Sequence, residues 1–153
     1  MKALTLTQPW ATLVAIGAKQ IETRSWRTSY RGPVAIHAAK RFPKAAREFN
    51  ADPVCYRAVQ RYSLSKTYSL IDPSYPLGCV LATCTLLDCC PTESLICLPG
   101  VFQDYPELDT SQEREFGNFE AGRWAWVLED VRALPEPIPA KGALSLWDWE
   151  EPR

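Results

Sequence analysis

Apolar and polar positions along the chain alternate in short runs, and no long stretch repeats every three or four residues. Leu4-Thr5-Leu6-Thr7 alternates apolar and hydroxyl side chains, which predicts a half-buried strand. Pro9 suits the first turn of a helix, where its missing N–H would have no intrahelical partner anyway. That helix runs through Trp10 to Ile16, with Trp10, Leu13 and Val14 on one side, and Gly17 can take the left-handed conformation that ends it. From Lys19 to Trp26 the period becomes two. Lys19, Ile21, Thr23 and Ser25 then fall on one face, and Gln20, Glu22, Arg24 and Trp26 on the other. Glu22 and Arg24 therefore project the same way, with Lys19 in the turn before them.

Arg31-Gly32-Pro33 is a turn signal, and Val34 to Ala38 follows as a strand that sets Ala35, His37 and Ala39 on one face. Pro43 marks a helix start in the basic stretch Lys40, Arg41, Lys44 and Arg47, and Asp52-Pro53 caps a second helix through Cys55, Ala58, Val59 and Tyr62. The stretch 63–76 is polar and loop-like. Leu77 to Leu87 is apolar on both faces and should lie in the middle of a sheet. Between Pro91 and Asn118 the chain is irregular, and Asp104, Glu107, Asp109, Glu113 and Glu115, with Glu120 just beyond, are expected in a solvated loop or short helix. Arg123 to Arg132 is a further strand, Pro135, Pro137 and Pro139 form an extended edge segment, and Leu144 to Trp147 closes as the last strand. About six short strands with two to four helices at the rim predict an α+β mixed β-barrel.

At 153 residues the chain is long enough for one domain with its own core, and we expect a single domain over 1–153 with a helical insertion around 40–66. Thirteen prolines and six tryptophans fit many short elements with aromatic anchors better than a helical bundle. No window of eighteen apolar residues exists, so no membrane partner is expected. The opening residues read as a strand and not a secretion signal, which makes a cytoplasmic location the expectation. The six cysteines, at 55, 79, 84, 89, 90 and 97, contain no Cys-x-x-Cys pair and read as buried reduced thiols. The net charge of −1 hides a polarity: through Lys66 twelve Lys and Arg face three Asp and Glu, and from Thr67 on five face fifteen. That asymmetry suits a surface for polyanions, and equally suits two halves that neutralise each other in one fold.

The densest chemistry lies in Lys19-Gln20-Ile21-Glu22-Thr23-Arg24-Ser25-Trp26, with Trp10 before it and Arg27 and Arg31 after. Glu22 and Arg24 can simply pair with each other. Interleaved cations and indoles also suit single-stranded RNA, a nucleotide or a nucleoside: cations meet phosphates, and indoles stack on bases at roughly 1–3 kcal/mol per base. A carboxylate such as Glu22 can accept from the exocyclic amine of cytosine. The same groups permit catalysis, with Lys19 stabilising an oxyanion or acting as base and Glu22 as general acid or base. His37, the only histidine, is a weaker candidate for proton transfer, a lone histidine being more often structural. No Ser-His-Asp set, metal-ligand motif or phosphate-cradling glycine loop is visible, so neither metal nor cofactor is expected. The residues favour ligand binding over catalysis.

Gly17-x-Lys19-x-x-Glu22-x-Arg24, preceded by Pro9-Trp10 and followed by Trp26, resembles the signature of the ASCH domain (activating signal cointegrator homology), of the PUA-like superfamily. The likeness continues through Arg31-Gly32-Pro33, Ile36-His37-Ala38, Gly78, Trp124-Ala125-Trp126 and Lys141-Gly142, and is greatest to small stand-alone members of the endothelial-overexpressed LPS-associated factor group. It implies a PUA-like β-barrel whose cleft is lined by the motif, and association with RNA or other nucleic acid. It also implies two alternatives: deacetylation of N4-acetylcytidine nucleosides, and metal-dependent ribonuclease activity. The deacetylase branch uses the motif lysine, matched by Lys19, a threonine where this chain has Glu22, and a later glutamate, for which Glu113, Glu115 and Glu120 are candidates. On these grounds Lys19, Arg24, Arg31 and Lys40 are expected to meet phosphate, Trp10 and Trp26 bases, and Glu22 and His37 the rest of the ligand. Lys19 and Glu22 are the catalytic pair if the chain is an enzyme.

Overall fold

Apolar runs buried on both faces lie inside the sheet. The computed structural model of the chain describes residues 1–63, 75–97 and 110–152. The elements are β1 (Lys2–Leu6), α1 (Trp10–Ala15), β2 (Ile21–Arg24), β3 (Gly32–Ala38), α2 (Lys44–Asn50), α3 (Pro53–Ser63), β4 (Cys79–Pro91), α4 (Thr92–Cys97), α5 (Thr110–Phe116), β5 (Trp124–Pro139) and β6 (Leu146–Asp148). The hydrogen-bonded order is β2-β5-β4-β3-β1-β6, a mixed sheet with β1 parallel to β3 and antiparallel to β6. This is the expected α+β class. Cys79 to Ala82 are buried in succession, as a strand covered on both faces requires, and β4 sits between β3 and β5 as its apolar run predicts. Among the described residues no helix is long and apolar enough to cross a membrane.

The chain divides into two compact units: the first holds 1–18, 33–84 and 130–153, the second 19–32 and 85–129. In the first, Ala3, Ala35, Val80 and Trp149 form a buried cluster, with Leu134, Ile138 and Trp147 packed on it. In the second, Ile21, Leu95 and Ala125 do the same with Cys90 and Phe119. The thiols of Cys55, Cys79 and Cys84 are buried and free, and burial pushes Cys84 up to about 12, which removes it from thiolate chemistry.

The sequence-based expectations needed correction at three places. Thr92 to Cys97 is a helix within the stretch read as irregular, and although Thr110 to Phe116 is a short helix as expected for its acids, Glu113 on it is 3% exposed and not solvated. Glu113 and Phe116, three apart, share one inward face, which the acidic composition around them conceals. The neighbouring acids Asp104, Glu107 and Asp109, like most of the polar stretch 63–76, lie outside the described residues. The last strand begins at Leu146, not Leu144, because Ser145 takes φ 59° and breaks the extended chain. The proline segment is continuous with the strand before it. β2 pairs with Trp124 to Val127 only, and prolines spaced two apart withdraw their N–H groups from a single side of β5 beyond that register.

Gly17 ends α1 at φ 78°, with its N–H on the Val14 carbonyl and that of Ala18 on the Leu13 carbonyl, both at 2.9 Å. This Schellman turn satisfies two helix-end carbonyls and delivers Lys19 directly after it. A Cβ at Gly17 meets nothing within 4 Å, so only backbone strain opposes one. Gly17→Ala should therefore cost about 1 kcal/mol in urea unfolding, and Gly17→Asn less. Equal midpoints for all three proteins would refute the need for a left-handed residue there.

Candidate functional site

In the second unit, β2 sets Glu22 and Arg24 on one face as the period of two predicts, and the Arg24 Nε lies 3.2 Å from Glu22 Oε1. Lys19 lies inside. It is 0% exposed, its ammonium donates to the Ile21 carbonyl, and Glu22 Oε2 and Glu113 Oε2 stand 3.7 Å and 3.9 Å away. Glu113 in turn accepts from the backbone N–H groups of Gln20 and Ile21, the latter at 3.2 Å. Two cations and two carboxylates thus form a formally neutral set. Deleting one member of such a buried group typically costs roughly 3–5 kcal/mol because its partner is left unpaired. Burial pushes the Glu113 carboxyl up, Lys19 and the Gln20 and Ile21 N–H groups oppose that, and Glu22 adds to it. Of the three later glutamates, Glu113 is the one beside Lys19, whereas Glu115 and Glu120 are exposed.

The remaining residues expected in this stretch also have partners. Trp26 meets the edge of the fully buried Trp126 at 4.7 Å, and the Trp126 indole N–H donates to the Trp26 carbonyl at 3.4 Å. Arg27 lies 5.5 Å over the Trp124 ring. Arg31 donates to the Thr28 and Tyr30 carbonyls and, at 2.8 Å, to Asp88. The Arg31–Asp88 pair is exposed, so it contributes little to stability.

Trp10, His37 and Lys40 belong to the first unit. Trp10 stacks on Phe49 with centroids 5.0 Å apart and planes within 5°, which covers one face of the indole. His37 and Lys40 line a cavity of about 1010 Å³ together with Thr5, Arg41, Lys141 and Gly142. The cavity is held by backbone: the Gly78 N–H donates to the Ala38 carbonyl at 2.9 Å, and the Gly78 carbonyl accepts from Ala140 at 3.0 Å. Gly78 takes φ 65°, and the Lys40 stem runs beside the space where its side chain would be. The His37 ring is 2% exposed; Nε2 is 3.1 Å from the Ala140 carbonyl oxygen, and Trp147 packs edge-on at 5.6 Å. Burial lowers its pKa, and the Ala140 bond opposes this. Because a carbonyl only accepts, Nε2 carries the hydrogen, and in the neutral ring Nδ1 is the acceptor. Nδ1 is buried with no partner among the described residues. Arg41, Lys141 and Gly142 were not among the expected site residues, and Glu113 was one of three candidates for the later glutamate. The Lys141-Gly142 likeness and the need for a later glutamate were the signals that pointed to three of them.

A six-stranded mixed sheet with a few short helices, carrying the Gly-x-Lys-x-x-Glu-x-Arg segment, fits a PUA-like domain of the ASCH kind. The ASCH domain family profile matches residues 4–136, and the chain belongs to that family, which is generally linked to RNA binding. It is similar to activating signal cointegrator 1 of Mus musculus, 26% identical over 145 residues, and of Homo sapiens, 24% identical over 144 residues. In both cases 94% of this chain is covered, and it spans 21% of the relative's length.

A pH series tests the Glu113 assignment. A carboxyl raised above its ordinary 4.5 contributes its stability below that value and loses it as pH climbs through the raised one. The stability of the native chain relative to Glu113→Gln, from urea titrations between about pH 4 and 8, should therefore fall as pH rises. A difference that grows with pH would contradict the assignment.

Proposed function

We propose that the chain binds single-stranded RNA or a nucleotide, with phosphate held by Lys40, Arg41 and Lys141 around the His37 cavity. The supporting observation is that cavity's charge: three cations line it, and no Asp or Glu does among the described residues. Such a concentration of unopposed positive charge suits a polyanion and releases counterions on binding. Arg24 and Arg31 share their charge with Glu22 and Asp88, and Lys19 is interior, so their part in phosphate binding is secondary. Trp26 and Trp10 would stack bases only on the faces their aromatic partners leave uncovered. Removing all three cavity cations should weaken binding of a single-stranded oligonucleotide at least tenfold and flatten the plot of log affinity against log salt by about 2, at roughly 0.7 per phosphate contact. Unchanged affinity and slope in the Lys40→Ala, Arg41→Ala, Lys141→Ala triple variant would remove this reading.

A second reading is favoured by the Lys19, Glu22 and Glu113 grouping, which unites the resemblance's lysine and later glutamate. It is hydrolysis of an N4-acylated cytidine, with Lys19 holding the oxyanion and Glu22 or Glu113 activating water in place of the missing threonine hydroxyl. Cytidine release from N4-acetylcytidine should then disappear in Glu113→Gln while its circular dichroism stays native. No turnover by the native chain at high enzyme concentration would exclude it.

A further inference from the structure

The phosphate-binding reading leaves one atom beside the cavity unexplained, the buried Nδ1 of His37. The ring cannot turn to serve it. Nε2 is fixed on the Ala140 carbonyl, and the adjacent Trp147 is itself anchored by its indole N–H on Thr5 Oγ1 at 3.1 Å. Residue 142 decides what can approach. A Cβ there would stand 2.6 Å from Nδ1, 2.4 Å from Cε1 and 3.0 Å from Thr5 Oγ1, so any residue but glycine would plug the ring edge. Ala140 is tied by its bonds to Gly78 and His37, but residues 141–143 lie outside helix and strand, Leu144 is 93% exposed, and Ser145 has φ 59°. A ligand reaches Nδ1 from the cavity only if Gly142 shifts outward. A buried acceptor without a donor costs free energy, and a ligand hydroxyl removes that cost.

We infer that this cavity holds a ribose phosphate, its phosphate on Lys40, Arg41 and Lys141 and its 2′-hydroxyl donating to Nδ1 of His37, so that the chain selects RNA over DNA. The inference rests on the phosphate-binding reading and adds sugar recognition to it. The lining favours a sugar over a base. Besides the histidine, the described wall offers cations, the Thr5 and Thr7 hydroxyls and small or aliphatic residues, with no Trp, Tyr or Phe to stack a base. The 2′-hydroxyl is the donor that RNA has and DNA lacks. Burial of the ring keeps Nδ1 an acceptor, and Lys40, Arg41 and Lys141 are the charged groups lining the cavity with it.

The test alters the ligand, so it does not depend on a buried histidine surviving substitution. Oligouridine RNA, its 2′-O-methyl form and the matching deoxyuridine oligomer are titrated against the native chain by fluorescence anisotropy at one salt concentration. RNA should bind about tenfold more tightly than either of the others, the scale of one hydrogen bond to an otherwise unpaired acceptor. Gly142→Ala, with its methyl at the ring edge, should abolish that preference. Equal affinities for all three oligomers, with binding still lost in the triple cation variant, would overturn sugar recognition and leave phosphate binding standing. Indifference to the triple variant, or no binding of any oligomer, would overturn both. Uridine monophosphate as competitor separates the two sources of a ribose phosphate: displacement at equal nucleotide concentration identifies a free nucleotide, and its absence identifies the polymer.

Discussion

A lysine ammonium with no exposure keeps its charge only if carbonyls and carboxylates replace its water, and the second unit is arranged to do this for Lys19. The Ile21 carbonyl accepts a hydrogen bond from it, and carboxylate oxygens of Glu22 and Glu113 stand 3.7 Å and 3.9 Å away. Glu113 has a further role, since it accepts the N–H groups of Gln20 and Ile21 at the entry to β2. The same carboxylate therefore neutralises the lysine and completes the backbone bonding of the strand that presents Glu22 and Arg24. Loss of any one member would be felt by the others, because hydrogen-bonded charges in a low dielectric act as a unit. This coupling makes the motif a structural centre whatever chemistry it also performs.

Much of the fold was legible in the sequence because it rested on local rules. Gly17 closes a helix by the one conformation glycine takes cheaply, the double-sided apolar run of β4 demanded a place inside the sheet, and the period of two put Glu22 beside Arg24. What could not be read depended on contacts distant in sequence. Glu113 meets Lys19 across 94 positions, and nothing in its acidic surroundings distinguishes it from the exposed Glu115 or Glu120. The cavity around His37 joins residues near 5, 40, 78 and 141, so neither Arg41 nor Lys141 could be assigned to it from spacing alone. Exposure was the other hidden quantity: Lys19 is interior, with the Glu22 and Glu113 carboxylates beside it.

The two readings of the charge asymmetry can now be separated by location. In the second unit three of the six cations described have a carboxylate partner, Arg24 with Glu22, Arg31 with Asp88 and Lys19 with two glutamates, while Arg27 lies on an indole and Arg123 on backbone carbonyls. In the first unit Lys40, Arg41 and Lys141 line a cavity with no Asp or Glu in its wall among the described residues. Neutralised pairs thus occur in both units, Lys2 with Asp148 and Lys44 with Glu48 in the first, and the unopposed positive surface is the cavity wall. Family membership is linked to RNA binding in general, and this difference in local charge balance is what distinguishes the candidate surfaces within this chain.

The backbone bonds at Gly78 have a thermodynamic meaning for any anion that enters the cavity. Tying Ala38 and Ala140 to one residue fixes the chain beside both Lys40 and Lys141, so the ordering entropy of that backbone is lost when the protein folds and not when it binds. Only the flexible lysine and arginine stems remain to be ordered. Gly78 thus acts as a spacer between two sources of positive charge, and its φ of 65° is a conformation that glycine takes at least cost.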